Sequence, residues 1–268
     1  MQYNGSNYND WVNYEYDLWK SELKKLSEDP ELFKNFKQND QVKRMLGSSD
    51  LFGPFLERIK DKDFPWKEIE RIDQIGNPAH VFNVNGYKIS GICLRYLYYA
   101  DKVLNNIRSL YGKTRLTNVV EIGGGYGGFC SMFDILSQGR VNEIVLNSYT
   151  IFDIKEVQNF QKQYLWSLDT WDNGCKTIHF TDIQKYKNSL LFVDNYLVSF
   201  YALGEFPFEL KKQYIENVIA KVPHGFIVWN PHFGPDDEGI ELIKKVQPKV
   251  QITKEDPLTA EFNLEIKW

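Results

Sequence analysis

Three of the side chains that most often carry metal and redox chemistry are scarce in this chain. In 268 residues there are four histidines, three methionines and three cysteines. Cys93, Cys130 and Cys175 are widely separated and show no C-x-x-C spacing, so a cysteine-held zinc site is not expected. Their odd number argues against a disulfide framework and for a reducing compartment. The first ten residues are polar and lack the apolar centre of a secretory leader, so the expected location is cytoplasmic. An excess of basic residues is also missing. Lys and Arg number 32 against 36 Asp and Glu, a formal net charge of −4, so a nucleic-acid partner has no electrostatic support. No apolar run has the length to cross a bilayer, and no internal repeat is visible. What remains is an ordinary globular composition, 43% hydrophobic and 25% charged, with an aromatic share of 15%. Its length suits one large domain, or a core domain with an appendage.

One stretch organises the rest: Val119-Val120-Glu121-Ile122-Gly123-Gly124-Gly125-Tyr126-Gly127-Gly128-Phe129. An apolar run ends at a carboxylate, passes through five glycines in six positions, and resumes as an amphipathic segment. This is a strand, a tight turn and a helix. The glycines permit positive φ and let a ligand approach bare backbone. The N–H groups at the helix start would face that ligand. Gly123-x-Gly125-x-x-Gly128 fits a dinucleotide fingerprint. Glu121-x-Gly123-x-Gly125-x-Gly127 fits the pattern of S-adenosylmethionine (SAM) methyltransferases. Glu121 separates the two readings, because a carboxylate before the first glycine repels a pyrophosphate and attracts a sulfonium and an ammonium.

Taken in order, the chain begins with helical spacing at Trp11, Tyr14, Leu18, Leu23 and Leu26. Asp29-Pro30 opens a second helix over 31–36, and a third covers 40–46. This helical N-terminal region (residues 1–70) could cap a site, bind substrate or make a homodimer. Ile75-Gly76-Asn77-Pro78 is a turn. Val81 to Ile89 alternates around Asn85-Gly86, a hairpin signal. Ser90 can cap a helix running to about Leu110. After the first strand (118–122) and its helix (127–137), strands are expected at 148–153, 176–180, 190–200 and 225–230. Helices at 155–168, 208–222 and 239–246 alternate with them, and residues 249–253 and 260–267 read as a closing antiparallel pair. The expected fold is α/β: a Rossmann-like parallel sheet with a terminal antiparallel hairpin over residues 71–268, preceded by the helical region.

With these residues in place the chain resembles the sugar O-methyltransferase family of class I SAM-dependent enzymes. Four stretches carry the resemblance: Ile75-Gly76-Asn77-Pro78; Glu121 to Gly128; Tyr149-Thr150-Ile151-Phe152-Asp153 with Gln161 and Tyr164-Leu165 downstream; and Ser199-Phe200-Tyr201-Ala202-Leu203-Gly204-Glu205-Phe206. The last points to the sugar group. The similarity spans roughly residues 70–268. The family often has proline two residues after the second-strand Asp, where this chain has Lys155. The resemblance implies SAM as cofactor, held by Glu121, Gly123, Gly125, Tyr126, Gly127, Asp153, Ile154, Asp182 and Ser199. Asp153 would take the ribose hydroxyls, and Asp182 the adenine amino group. Arg95, Tyr99 and Tyr201 are the expected acceptor contacts, on a helix that often closes over the cofactor and on the fourth-strand stretch.

Methyl transfer to a hydroxyl requires alignment of the reactants and usually a general base at the carboxyl edge of the sheet. Glu205 follows the fourth strand and His232 the fifth, and both are candidates. Histidine has the more suitable ordinary pKa, whereas glutamate would need burial. Asp236-Asp237-Glu238 reads as a helix start rather than a metal site, so no metal is expected. The expected activity is O-methyl transfer to a sugar, nucleotide sugar or glycan. An NAD-dependent sugar dehydrogenase or epimerase is the alternative, but its Tyr-x-x-x-Lys is absent after the glycine loop. A non-catalytic binding subunit is the other.

Overall fold

The computed structural model describes residues 8–46, 52–112, 115–138, 144–168, 177–184, 195–231 and 237–268. It forms two compact units. One comprises Met1–Asp101, Gly125–Gly139 and Lys155–Thr170, the other Lys102–Gly124, Arg140–Ile154 and Trp171–Trp268.

The first unit holds α1 (Tyr8–Glu28), α2 (Pro30–Lys34), α3 (Asp40–Leu46), α4 (Gly53–Ile59) and α5 (Trp66–Asp73). It continues with the hairpin β1 (Val81–Val84) and β2 (Tyr87–Ser90), the first half of α6 (Gly91–Tyr111), then α7 (Gly128–Gln138) and α8 (Lys155–Trp166). The sequence punctuation works as chemistry here. The Asp29 carboxylate accepts from the Glu31 and Leu32 N–H groups at 2.9 and 3.2 Å, capping α2 with Pro30 in its first turn. Asn85 and Gly86 adopt φ of 53° and 88°, which closes the hairpin with Val84 opposite Tyr87. Ser90 Oγ accepts from the Cys93 N–H at 3.3 Å at the start of α6. Helices α4 and α5 were not expected from the sequence. They are short, and only Phe55 and Ile59 in one, and Trp66, Ile69 and Ile72 in the other, bury apolar surface between charged neighbours.

The second unit is built on β3 (Arg115–Ile122), β4 (Ile144–Phe152), β5 (Thr177–Thr181), β6 (Asn195–Phe200), β7 (His224–Trp229), β8 (Gln251–Lys254) and β9 (Leu264–Lys267). These seven strands form one sheet in the order β5-β4-β3-β6-β7-β9-β8. The four pairings from β5 to β7 are parallel, and β9 runs antiparallel to both β7 and β8. The expected α/β architecture, a parallel sheet closed by an antiparallel pair, is the one observed. Val120, Ile122, Leu197, Ile227 and Trp229 line one sheet face with Ile215 and Val218 and with Ile240 and Ile243. The latter two pairs come from the region of α10 (Phe208–Asn217) and from α11 (Asp237–Val246). The second half of α6 is tied to β9 by Lys102–Glu265 at 2.5 Å and by Lys267–Asn106 at 2.7 Å.

The differences from expectation are local. A single helix over 208–222 is instead α10 followed by a tight turn at Ile219–Lys221. The β-branched Val218 and Val222 flank that turn. The one-turn helix α9 (Ala202–Glu205) was not expected. Strand β7 begins at His224, one residue before the expected strand over 225–230. The expected start of the fourth strand, 190–194, lies outside the described residues.

Candidate active site

The chain runs from β3 outward to β4 and β5, then returns to lay β6 and β7 on the other side of β3. The carboxyl ends of β3 and β6 therefore diverge at a switch point, where a ligand crevice forms in sheets of this type. Glu121, Gly123, Asp153, Ser199, Tyr201 and Glu205 all fall at or just beyond strand carboxyl ends in the second unit.

Glu121 is buried, 2% exposed, and its Oε2 accepts from Tyr149 Oη at 2.9 Å. Burial pushes its carboxyl up to about 8; the Tyr149 hydrogen bond opposes this and the Asp153 charge adds to it. The group is thus a reservoir for a proton that a nearby cation would expel. The sequence names Tyr149 only as part of a resembling stretch and not as a partner of Glu121, since only the β3–β4 register, with Val119 opposite Tyr149, brings it under Glu121.

Gly123 has φ of 74°, and a Cβ there would stand 2.2 Å from the Ala202 methyl. Gly123→Ala is therefore expected to destabilise the fold by about 1–3 kcal/mol or more, combining backbone strain with a steric clash. Urea denaturation at fixed slope would measure it. The Gly123 N–H extends the ladder to Phe152 O at 2.9 Å. The Asp153 carboxylate is half-buried and grips the turn. Its Oδ2 accepts from the Gly124 N–H at 3.1 Å and its Oδ1 from the Ile154 N–H at 2.9 Å. The Asp153 N–H reaches Thr181 O at 3.0 Å, which sets Asp182 on the adjoining strand end.

Ser199 is fully buried and its hydroxyl donates to Ile122 O at 2.9 Å, so it ties β6 to the end of β3. Tyr201 takes φ of 64°, rare for a non-glycine residue. Its N–H is held by Val228 O at 2.9 Å and its hydroxyl donates to Glu255 Oε1 in a short hydrogen bond. Glu255 also accepts from the Thr259 N–H and from Asn263 Nδ2, at 2.8 and 3.0 Å. Tyr201 precedes α9 directly, so its backbone turn aims Glu205. Glu205 Oε1 accepts from Asn230 Nδ2 at 2.5 Å. Asn230, one residue past β7, was not singled out; its position at the same carboxyl edge was the available signal. The other candidate base, His232, lies outside the described residues.

The remaining candidates belong to the first unit. Gly125 and Gly127 have φ of 55° and 94°. The Tyr126 ring is buried among Phe36, Tyr96 and Tyr164, with centroids 5.2, 5.9 and 4.9 Å away, so what Tyr126 can offer a ligand is main chain. Tyr99 is 0% exposed and packs edge-on to Phe55, which places it in the core and not at a surface that an acceptor touches. The half-buried Arg95 guanidinium lies over Phe52 at 5.5 Å and Tyr96 at 5.9 Å. Among the described residues, no group of three His, Cys, Asp or Glu could hold a metal, and no helix is long and apolar enough to cross a membrane.

No family model matches the chain, and no curated protein does. Solved structures similar to it include the methyltransferase domain of bacterial CtHen1 (TM-score 0.44, 11% identity, 63% of this chain and 96% of that one). Another is an O-methyltransferase family protein from Burkholderia thailandensis (0.43, 10%, 66% and 57%). A third is SAM-bound CalS10, an amino pentose methyltransferase from Micromonospora echinaspora (0.37, 14%, 52% and 52%). The fold assignment stands on the strand order and register of the chain itself.

Proposed function

We propose that this protein is a SAM-dependent O-methyltransferase acting on a hydroxyl of a sugar, nucleotide sugar or glycan. The observation that carries the cofactor reading is the buried Glu121 carboxyl immediately before the Gly123 turn, flanked by Asp153. Two carboxyl groups and bare glycine backbone suit a cation and a ribose diol and disfavour a pyrophosphate. Tyr201 and Glu205 sit in the stretch whose pattern resembles the sugar group, and that pattern supports the acceptor class.

SAM when bound would supply an electrophilic methyl carbon and leave as a neutral thioether. Asp153 would hold the ribose hydroxyls, Asp182 would meet the adenine amino group, and Glu121 would answer the positive charge. Gly125, Tyr126, Gly127, Ile154 and Ser199 stay in the proposal as main-chain or loop-forming members of the cofactor set. Glu205, steadied by Asn230, would accept the acceptor hydroxyl's proton as its oxygen bonds to the methyl carbon, with His232 as the other candidate base. Tyr201 and Arg95 are the acceptor contacts in this reading. The division into residues 1–70 and 71–268 is proposed as one of role: the second range contains the complete sheet.

Isothermal titration with S-adenosylhomocysteine and, separately, NAD tests the reading. Micromolar binding of the first without the second supports it, and the reverse overturns it in favour of a dehydrogenase or epimerase. Binding of neither favours a non-catalytic subunit.

Glu121 also sets a pH dependence of stability. Its folded value, about 8, lies above its ordinary 4.5. Between these values the folded protein keeps a proton that the unfolded chain has released, so stability falls as pH rises through this window and levels off above it. The slope for one proton is at most about 1.4 kcal/mol per pH unit. Glu121→Gln is expected to flatten the fall in melting temperature between pH 5 and pH 8, as followed by circular dichroism. An unchanged slope would mean that Glu121 is ionised in the folded protein.

A further inference from the structure

We infer that Asn35-Phe36-Lys37 is a wedge that fixes the glycine loop at Tyr126, and that Ile75-Gly76-Asn77-Pro78 is the socket that holds the wedge. The sequence marks the socket only as a turn shared with a family, and leaves the helical region of residues 1–70 open between three roles. All the residues involved lie in the first unit.

Phe36 is 0% exposed. Its ring meets Tyr126 at a centroid distance of 5.2 Å, and stands edge-on to Phe160 at 5.1 Å and to Tyr164 at 6.0 Å. Gly76, at φ of 87°, makes room for it: a Cβ there would lie 2.3 Å from the Phe36 ring. The Gly76 carbonyl accepts from the Lys37 N–H at 2.9 Å. Asn77, also at positive φ, donates from Nδ2 to Asn35 Oδ1 at 2.8 Å. Each residue of the wedge is thus matched by a residue in or beside the turn.

Lys37 locks the arrangement. Its ammonium bonds Asp73 Oδ1 at 2.9 Å, with the two side chains 3% and 1% exposed. Asp73 also accepts from Ser90 Oγ at 2.7 Å. Withdrawal of the wedge would strand a buried carboxylate, which is strongly unfavourable. The Lys37 Nζ lies 5.4 Å from the Tyr126 ring centroid as well, within cation–π range.

The loop is held from α8 too. Gln161 Nε2 donates to Gly125 O at 3.0 Å, and the Tyr164 ring lies 4.9 Å from that of Tyr126. A loop of glycines has little stiffness of its own. The position of the main-chain groups at Gly125–Gly128 therefore depends on these anchors, and Tyr126 is the one side chain the loop offers them. Without the wedge, binding would bear the cost of ordering the loop. The ligand consequence rests on the SAM reading; the mechanical one does not.

The test is titration of the full chain with S-adenosylhomocysteine for Phe36→Ala, Phe36→Leu and Ile59→Ala, the last a fully buried residue of α4 outside the ring cluster. Affinity is expected to fall roughly tenfold in Phe36→Ala and less in Phe36→Leu, and to hold in Ile59→Ala. Melting temperatures would establish that the stability losses are comparable. Wild-type affinity in a folded Phe36→Ala, or an equal loss in Ile59→Ala, overturns the wedge. If Phe36→Ala does not fold, Phe36→Leu carries the comparison. If the wild type binds no S-adenosylhomocysteine, the cofactor reading falls, and hydrogen exchange at the amides of residues 125–128 decides the wedge. Faster exchange in Phe36→Leu than in Ile59→Ala supports it, and equal rates overturn it.

Discussion

Asp153→Ala is expected to weaken S-adenosylhomocysteine binding by roughly tenfold to a hundredfold, as measured by isothermal titration. Hydrogen bonds to a charged group contribute about 1.5–3 kcal/mol each, and a bound ribose would lose its carboxylate partner. The same carboxylate holds the Gly124 and Ile154 N–H groups at 3.1 and 2.9 Å. Its removal would therefore also loosen the turn on which the cofactor would rest in the proposed reading. Asp153→Asn separates the two effects. An Asn oxygen can still accept one of these N–H groups, but its amide nitrogen then faces the other, donor against donor. The Asn variant should therefore fall between wild type and Ala in affinity, while far-UV circular dichroism stays unchanged. Wild-type affinity in Asp153→Ala would remove this residue from the cofactor site and leave it as a turn anchor alone.

The parts of the fold that were legible in the sequence are those set by local chemistry. Asp29-Pro30, Asn85-Gly86 and Ser90 specify caps and a turn with no help from the rest of the chain, and each does what its residue type dictates. The alternation of apolar runs and amphipathic segments gave the parallel sheet, because each parallel crossover needs a helix between its strands. Pairings between distant residues were not legible. Glu121 is adjacent to Tyr149 through strand register, and Asn230 meets Glu205 across two strand ends. Tyr126 shows the same limit. Its place in a cofactor loop suggested a ligand contact, yet a ring 2% exposed among three other aromatics serves packing. The burial of Tyr99 has a related origin, since helical periodicity gives a face but not what covers it. Short helices such as α4, α5 and α9 escape periodicity altogether, because one or two turns hold too few apolar positions.

Glu205→Gln is expected to lower kcat for methyl transfer by about 10²–10⁴-fold, the usual contribution of a positioned general base, while leaving S-adenosylhomocysteine affinity unchanged. The substitution keeps the shape and an oxygen able to accept from Asn230 Nδ2, so α9 and its packing are preserved. What it removes is the capacity to take a proton. Asn230→Ala should act more weakly and through geometry: Glu205 keeps its basicity but loses the donor that orients it. Its defect should therefore be partly recovered by Asn230→Gln, whereas no neutral residue at 205 recovers activity. Transfer of label from methyl-labelled SAM to a panel of sugars and nucleotide sugars provides the assay, with product analysis locating the methylated hydroxyl. If Glu205→Gln turns over at the wild-type rate, proton removal lies elsewhere. His232→Ala then becomes the decisive variant, since that residue follows the neighbouring strand at the same edge of the sheet in the sequence order. If neither change slows the reaction while Asp153→Ala still does, the acceptor hydroxyl loses its proton to solvent, and catalysis rests on alignment of the two reactants alone.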